Sequence, residues 1–393
     1  MKQEIKVFIA LCAFLCSGLG NLQAQDEKSW SLGGYVKYMQ TDFVGKDSAG
    51  LTLLTDNLIH NRLNFNWYAN DKLSLKIEMR NRAFYGEYTK LIPGYGDILG
   101  MDNGFFDLSW TLVNESSFIL HSTVDRAFAS YDADKYRLRL GRQRINWGLN
   151  TVYTPNDVFN AFNFFDFDYE ERPGVDAVRF EYFTSGLSSI DIAVAPSDDK
   201  DNWVAATKYG FNKGSYDLQV IASWYKTDVM AGLGWAGNLG NAGFKGELSY
   251  FHPREDFKNA DGVLTGTFTT DYTFSGGWYG SLALLYVSDG TVDKLSTGGT
   301  LNLIAGDISV KRLMPTRYTL TAMGSKALNP ATNLSMVAMF APGTNMLILF
   351  PTLTYSIKEN WDIDVVAQSS FLELNKEFKH SGSAAFFRIK RSF

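Results

Sequence analysis

The stretch Leu73-Ser74-Leu75-Lys76-Ile77-Glu78-Met79-Arg80-Asn81-Arg82-Ala83-Phe84 is apolar at nearly every odd position and polar or charged at every even one until Phe84. Period-two alternation is the mark of a strand with one apolar face. Its other face, with Lys76, Glu78, Arg80 and Arg82, points to bulk water in a soluble sandwich and to an aqueous lumen in a membrane barrel. The pattern recurs in Ile59–Tyr68, where the even positions carry His60, Arg62, Asn64 and Asn66, and again in Tyr216–Trp224 and Trp361–Gln368.

The ends and the composition choose between those solvents. Met1–Lys6 precede an apolar run from Val7 to Leu19 and then Leu22-Gln23-Ala24, the pattern of a cleavable secretory signal peptide over residues 1–24. Residues 25–393 then form one domain, since no linker or low-complexity tract divides them. Both cysteines, Cys12 and Cys16, fall in the exported leader, so the mature chain carries no thiol chemistry. Lipidation at Cys16 is the rival reading, opposed by the bulky Leu15 before Cys16. A net charge of -5 argues against nucleic acid as a partner. Aromatic residues make up 15% of the chain, yet no apolar run after residue 24 is long enough for a spanning helix, which favours a membrane barrel or a large secreted β protein.

Short turns are expected at Asn70-Asp71, Asp132-Ala133-Asp134, Ser185-Gly186, Lys213-Gly214, Asn238-Leu239-Gly240, Ser275-Gly276 and Lys358-Glu359-Asn360. Longer loops are expected near 44–56, 86–117, 148–173, 197–201, 252–262, 289–308 and 373–382, alternating with the turns. The runs between them number about 18, with about 16 as the alternative, the ambiguity lying at 289–345. The expected fold is therefore all-β, a transmembrane antiparallel up-and-down barrel. The strand Phe386–Phe393 would pair with the first strand near 30–43 and leave no open edge. With the leader, this ending resembles Gram-negative outer-membrane barrels. The resemblance implies residence in the cell outer membrane among lipid and lipopolysaccharide, and recognition of Phe393 by the barrel-assembly machinery.

The densest motif is Gly141-Arg142-Gln143-Arg144-Ile145-Asn146-Trp147-Gly148, followed by Pro155-Asn156-Asp157-Val158-Phe159-Asn160 and Glu171-Arg172-Pro173-Gly174-Val175-Asp176-Ala177. Over residues 137–180 it resembles the signature of porin-like outer-membrane families, including alginate-export-like barrels. The resemblance implies a porin architecture with a third outer loop folded inward, but it does not carry over a transported solute; the reading is a passive channel for small hydrophilic solutes, with the lumenal arginines favouring anions and the acidic loop offsetting them. The other reading is a plugged barrel serving secretion, polysaccharide export or surface assembly. No cofactor is implied, and a homo-oligomer or protein partner stays open.

Leu138 and Leu140 share a face, and Arg142, Arg144 and Asn146 continue that parity, so a β-bulge at Gly141-Arg142 is expected to turn the polar side chains inward. Thr154-Pro155 is a cap and first-turn proline suited to a short helix in the third outer loop. Asp157, Asp166, Asp168, Glu170 and Glu171 would form an acidic loop facing a basic side of Arg62, Lys76, Arg80, Arg82, Arg142 and Arg144. Such opposition makes a transverse field across a constriction; the bland alternative is that the groups pair and pin the loop.

Other motifs carry less. Gly232-Leu233-Gly234-Trp235-Ala236-Gly237 matches a dinucleotide fingerprint but runs into a hairpin turn instead of a helix. Asp198-Asp199-Lys200-Asp201 lacks calcium-loop spacing. The four histidines have no zinc-hydrolase spacing, and adjacent His121 and Ser122 on a strand face opposite ways, so no catalytic pair arises locally. The tryptophans are expected at strand ends as an interfacial belt, with carbohydrate stacking inside the lumen as the sharper alternative.

Overall fold

The computed structural model describes residues 29–47, 50–102, 104–161, 172–293, 308–374 and 377–393. Its strands are β1 (Trp30–Asp47), β2 (Gly50–Tyr68), β3 (Leu73–Gly86), β4 (Ser109–Glu115), β5 (Phe118–Asp132), β6 (Tyr136–Gln143), β7 (Val175–Ser185), β8 (Ser188–Ala195), β9 (Val204–Lys213) and β10 (Tyr216–Tyr225). They continue as β11 (Asp228–Leu239), β12 (Ala242–Pro253), β13 (Val263–Thr273), β14 (Trp278–Val287), β15 (Tyr318–Asn329), β16 (Thr332–Ala341), β17 (Met346–Lys358), β18 (Trp361–Leu374) and β19 (Glu377–Ser392). All pairings are antiparallel between sequence neighbours, apart from those of β3 with β5 and β1 with β19. The β1–β19 pair, from Tyr35↔Ser392 to Val44↔Ser383, seals the sheet on itself, and Gly34 and Phe393 exchange backbone hydrogen bonds at 2.9 and 3.0 Å below it.

Among the described residues nineteen strands make eighteen places around the wall. β5 is paired along its length with β3, while its other edge is divided: β4 takes residues 118–123 and β6 takes 127–132. β4 and β6 therefore stand end to end in one place.

The alternation at 73–84 is realised as a wall. Ile77 and Leu73 are exposed on the outside, and Glu78 and Arg80 are buried on the inside. Exposed aromatics gather at two heights, Trp67, Tyr131, Tyr136, Tyr182, Trp278 and Tyr355 near the tight turns, and Trp203, Trp224, Tyr250 and Tyr318 near the opposite end, as interfacial girdles do. Trp147 alone among the described tryptophans is almost wholly enclosed, at 1% exposure.

The turns fall where local residue chemistry placed them, with a further one at Asn329-Pro330 that resolves the doubtful 289–345 region into β15 and β16. At the other end the outcome differs. The expected loops at 44–56 and 373–382 are largely strand: β1 and β2 stay paired to Asp47↔Gly50, and β18 and β19 to Leu374↔Glu377. Two further connections there, Lys226-Thr227 and 342–345, are short. The 86–117 loop holds β4 and two one-turn helices, α1 (Tyr88–Leu91) and α2 (Tyr95–Leu99). These lie against the inward face, with Tyr88 stacked on Phe43 at 4.9 Å and Tyr95 edge-on to Phe84 at 5.9 Å.

Candidate functional site

Residues 144–161, between β6 and β7, cross the barrel interior rather than crown it. Backbone N–H groups without a helix or sheet partner must find acceptors elsewhere. Here they find Glu247 on β12, whose carboxylate accepts from Leu149, Asn150 and Asn156 at 2.5, 2.7 and 2.9 Å. A carboxylate with no solvent exposure is tolerable only with such a donor set. Trp147 is clamped between β8 and β10, its indole N–H donating to Asp191 at 2.6 Å and its carbonyl accepting from Gln219 at 2.8 Å. Asn156 donates to the Leu233 carbonyl at 2.9 Å and accepts from Ser249 at 2.8 Å, and Tyr153 reaches Thr321 on β15 at 2.9 Å. The glycines of the rejected dinucleotide motif give this approach its room, because a Cβ at Gly232 or Gly234 would lie 2.7 or 3.0 Å from the Asn156 amide.

The expected helix is not formed among the described residues of this segment. Asp157 N–H bonds to the Thr154 carbonyl and Asn160 N–H to that of Asp157, which makes consecutive turns. The Asn156 N–H, a first-turn donor that a capping Thr154 hydroxyl would accept from, goes to Glu247 instead.

A second inward segment, 308–317 between β14 and β15, went unread in the sequence. Lys311 is held to Asp228 at 2.9 and 3.0 Å, and its carbonyl accepts from Thr265 at 2.6 Å. Leu313 and Met314 pack with Val152 and Tyr153 against β13, β14, β16, β17 and β18, while Val310 joins Ile145, Trp147, Val158 and Phe159 against β7–β12. Its signal was an apolar Leu313-Met314-Pro315 run inside a connection, where a solvated loop would be polar. The two segments fill the side of β7–β18 with apolar packing toward the end opposite the tight turns.

The opposite wall carries charge. Around the buried acids Glu78 and Asp125 stand Arg62, which contacts both; Lys76, 2.7 Å from Glu78; Arg126, 3.0 Å from Glu78; and Arg80, 3.1 Å from Asp125. Arg82 lies over the Phe84 ring at 5.3 Å. Nearer the tight turns Arg137 contacts Asp132, Arg179 spans Glu181 and Asp191 at 3.0 and 2.7 Å, and Lys208 lies 3.6 Å from Asp191.

Two expected site residues stand elsewhere. Arg142 is reached without a bulge: β6 keeps register with β5 and β7 through Gly141-Arg142, and Gly141, at φ +117°, makes the local adjustment. The Arg142 guanidinium then bonds Asp176 at 2.8 Å, Asp102 at 2.6 Å and the Phe106 and Val124 carbonyls. It rivets the junction between β4 and β6, so the inward assignment that depended on a bulge is corrected. Asp157 is buried and paired with Arg172 at 2.8 Å, which ties together the two feet of its own segment, with the Arg144 charge close by. Asp166, Asp168, Glu170 and Glu171 lie outside the described residues. Among the described residues no His, Cys, Asp and Glu cluster fit for a metal occurs. His121 bonds Thr111 and Thr123, while Ser122 bonds Asn81 on the other face.

No protein-family model matches the chain, and no curated protein matches it in sequence. Solved structures do resemble it. OccAB4 of Acinetobacter baumannii aligns with 93% of this chain and 99% of its own at a TM-score of 0.58 and 8% identity. The outer membrane protein OpdK of Pseudomonas aeruginosa aligns with 92% and 98% at 0.56 and 8% identity. OccK8 (OprE) of the same organism aligns with 92% and 98% at 0.51 and 8% identity. Sequence identity this low carries the fold alone: a closed eighteen-place barrel of the outer-membrane type.

Proposed function

We propose that the chain is an outer-membrane porin, a passive channel for small hydrophilic solutes narrowed by the two inward segments. The observation that carries this is the pairing of an apolar outer wall and aromatic girdles with a charged inner wall, opposite a segment pinned by Glu247. The inner wall around Glu78 and Asp125 is predominantly cationic, which favours anionic solutes. Arg62, Lys76, Arg80 and Arg82 are the basic side of the constriction in this reading; what faces them is the inward segment. Lipopolysaccharide and lipid surround the girdles, and Phe393 at the closing seam is the contact offered to the assembly machinery. The test is liposome swelling by the purified protein with small sugars and amino acids, together with the reversal potential in a salt gradient. Swelling with anion preference is expected.

A second reading, a plugged barrel serving secretion, polysaccharide export or surface assembly, is favoured by one observation. Inward residues of β12–β17 such as Glu247, Ser249, Thr265, Leu285, Thr321, Met339 and Ile348 are almost wholly buried. Absence of swelling for every small solute would select it.

A further inference from the structure

We infer that the outer wall at the closing seam holds an anionic phospholipid of the periplasmic leaflet, its phosphate seated between Lys358 and Arg391 beside Trp361. The inference rests on the outer-membrane reading, in which the tight turns lie on the periplasmic side. Trp361 opens β18 at that end and stands in register with Lys358 on β17 and Arg391 on β19. It shares the parity of Ile363 and the exposed Val365, whereas Asp364 and Val366 are buried on the inner face. The Lys358 ammonium lies 5.6 Å from the indole centroid and the Arg391 guanidinium 5.7 Å. Two exposed cations from the strands on either side thus flank one ring on the lipid-facing wall.

Neither Lys358 nor Arg391 forms an ion pair among the described residues. Nearby cations do: Arg388 on β19 bonds Asp364 at 2.9 Å on the inner face. At the opposite girdle Arg254 lies 3.8 Å over the Trp224 ring, but Asp201 stands 3.9 Å from it. Beside Trp361, Asp362 faces inward and accepts from Ser356 at 2.7 Å, which leaves the exposed Glu359 of the turn as one acid against two cations. Long basic side chains at a girdle carry their charge to headgroup level, where two together attract one phosphate. Toward the middle of the layer the pairs Ile363↔Ile389 and Val365↔Phe387 continue from Trp361 as an apolar strip for acyl chains. A zwitterionic headgroup would bring its own cation against Lys358 and Arg391, so a net negative one fits better. Arg391 also pairs with Val36 across the seam, so the lipid bridges β17 to the strand that closes the barrel.

The probe is phosphatidylglycerol, with phosphatidylcholine as the zwitterionic comparison and glycerol phosphate as the soluble one, titrated into the full chain in micelles and counted by native mass spectrometry. One phosphatidylglycerol held about tenfold or more tightly than either comparison is expected. Lys358→Gln with Arg391→Gln should bring it down to the phosphatidylcholine level. Lys135→Gln with Lys213→Gln, at two other tight turns where both lysines are exposed, should leave it in place. Retained heat-modifiable mobility on gels establishes that each barrel is folded, and Lys358→Gln alone, which leaves the last strand untouched, should still lose about fivefold. Equal binding of the two lipids, glycerol phosphate as tight as phosphatidylglycerol, or equal losses from the two double variants would each overturn the inference. A barrel that swells liposomes without this selectivity would lose the site alone. One that selects phosphatidylglycerol without swelling liposomes would lose the channel and keep the site.

Discussion

Glu247 on β12 accepts the backbone N–H of Asn156 at 2.9 Å across 91 residues of sequence, with the N–H groups of Leu149 and Asn150 on its other oxygen. One wall side chain thus fixes both limbs of the inward segment. Glu247→Gln keeps the shape but replaces one charged acceptor oxygen by an amide donor, leaving at least one buried N–H unpaired. The expected cost is about 1–3 kcal/mol. Planar-bilayer recordings should show larger and noisier conductance than the parent, and thermal unfolding should come earlier. Unchanged conductance in a folded variant would separate the anchor from the aperture.

Arg142 and the Arg62–Arg80 pair make contrasting predictions. Arg142 serves the wall junction, bonded to Asp102 and Asp176, and removing one partner of such a buried set costs about 3–5 kcal/mol. Arg142→Ala should therefore lower thermal stability while leaving the reversal potential where it was. Arg62→Gln with Arg80→Gln uncovers Glu78 and Asp125, and the reversal potential should move toward cations. An Arg142 variant that alters ion preference without loss of stability would return Arg142 to the lumen.

What the sequence made legible, and what it hid, divides by the range of the interactions involved. The strand at 73–84 and the turns at Asn70-Asp71 and Lys358-Glu359-Asn360 depend on alternation and on residues that suit tight turns, all within a few positions. The helix expected at Thr154-Pro155 had equally good local signals, but the segment makes consecutive turns whose Leu149, Asn150 and Asn156 N–H groups are held by Glu247, far along the chain, a partner no local pattern names. The role of Arg142 depends on β4 and β6 sharing one edge of β5, a pairing no local pattern encodes. The strand tips beyond Val44 and Phe371 read as polar loops because outside the apolar layer neither face need be oily.

The glycines at 232 and 234 offer a steric test of the same segment. A Cβ at Gly234 would stand 2.8 Å from Gln219 Cγ and 3.0 Å from the Asn156 amide, so Gly234→Leu must push Asn156 from the Leu233 carbonyl. Overpacking of this kind costs about 1–3 kcal/mol. Higher conductance is expected, and Gly240→Asn in the adjoining turn, where nothing lies within 4 Å, is the control that should behave as the parent.

Closure of the barrel can be tested at its tightest point. Gly34 lies between β2 and the last residue: a Cβ there would come within 2.1 Å of the Arg62 carbonyl and 3.3 Å of the Phe393 ring. Gly34→Val should therefore keep β1 from lying flat against β2 and misplace the seam with β19. Deleting Phe393 removes the two backbone hydrogen bonds it exchanges with Gly34, worth about 1 kcal/mol each in water and more where lipid offers no substitute. Both changes should reduce the fraction of protein that shows the compact, heat-modifiable mobility of a sealed barrel, with the valine the more severe because it acts on the chain's own packing. A Gly34→Val protein that folds in parental yield would mean that β1 meets its neighbours in another register.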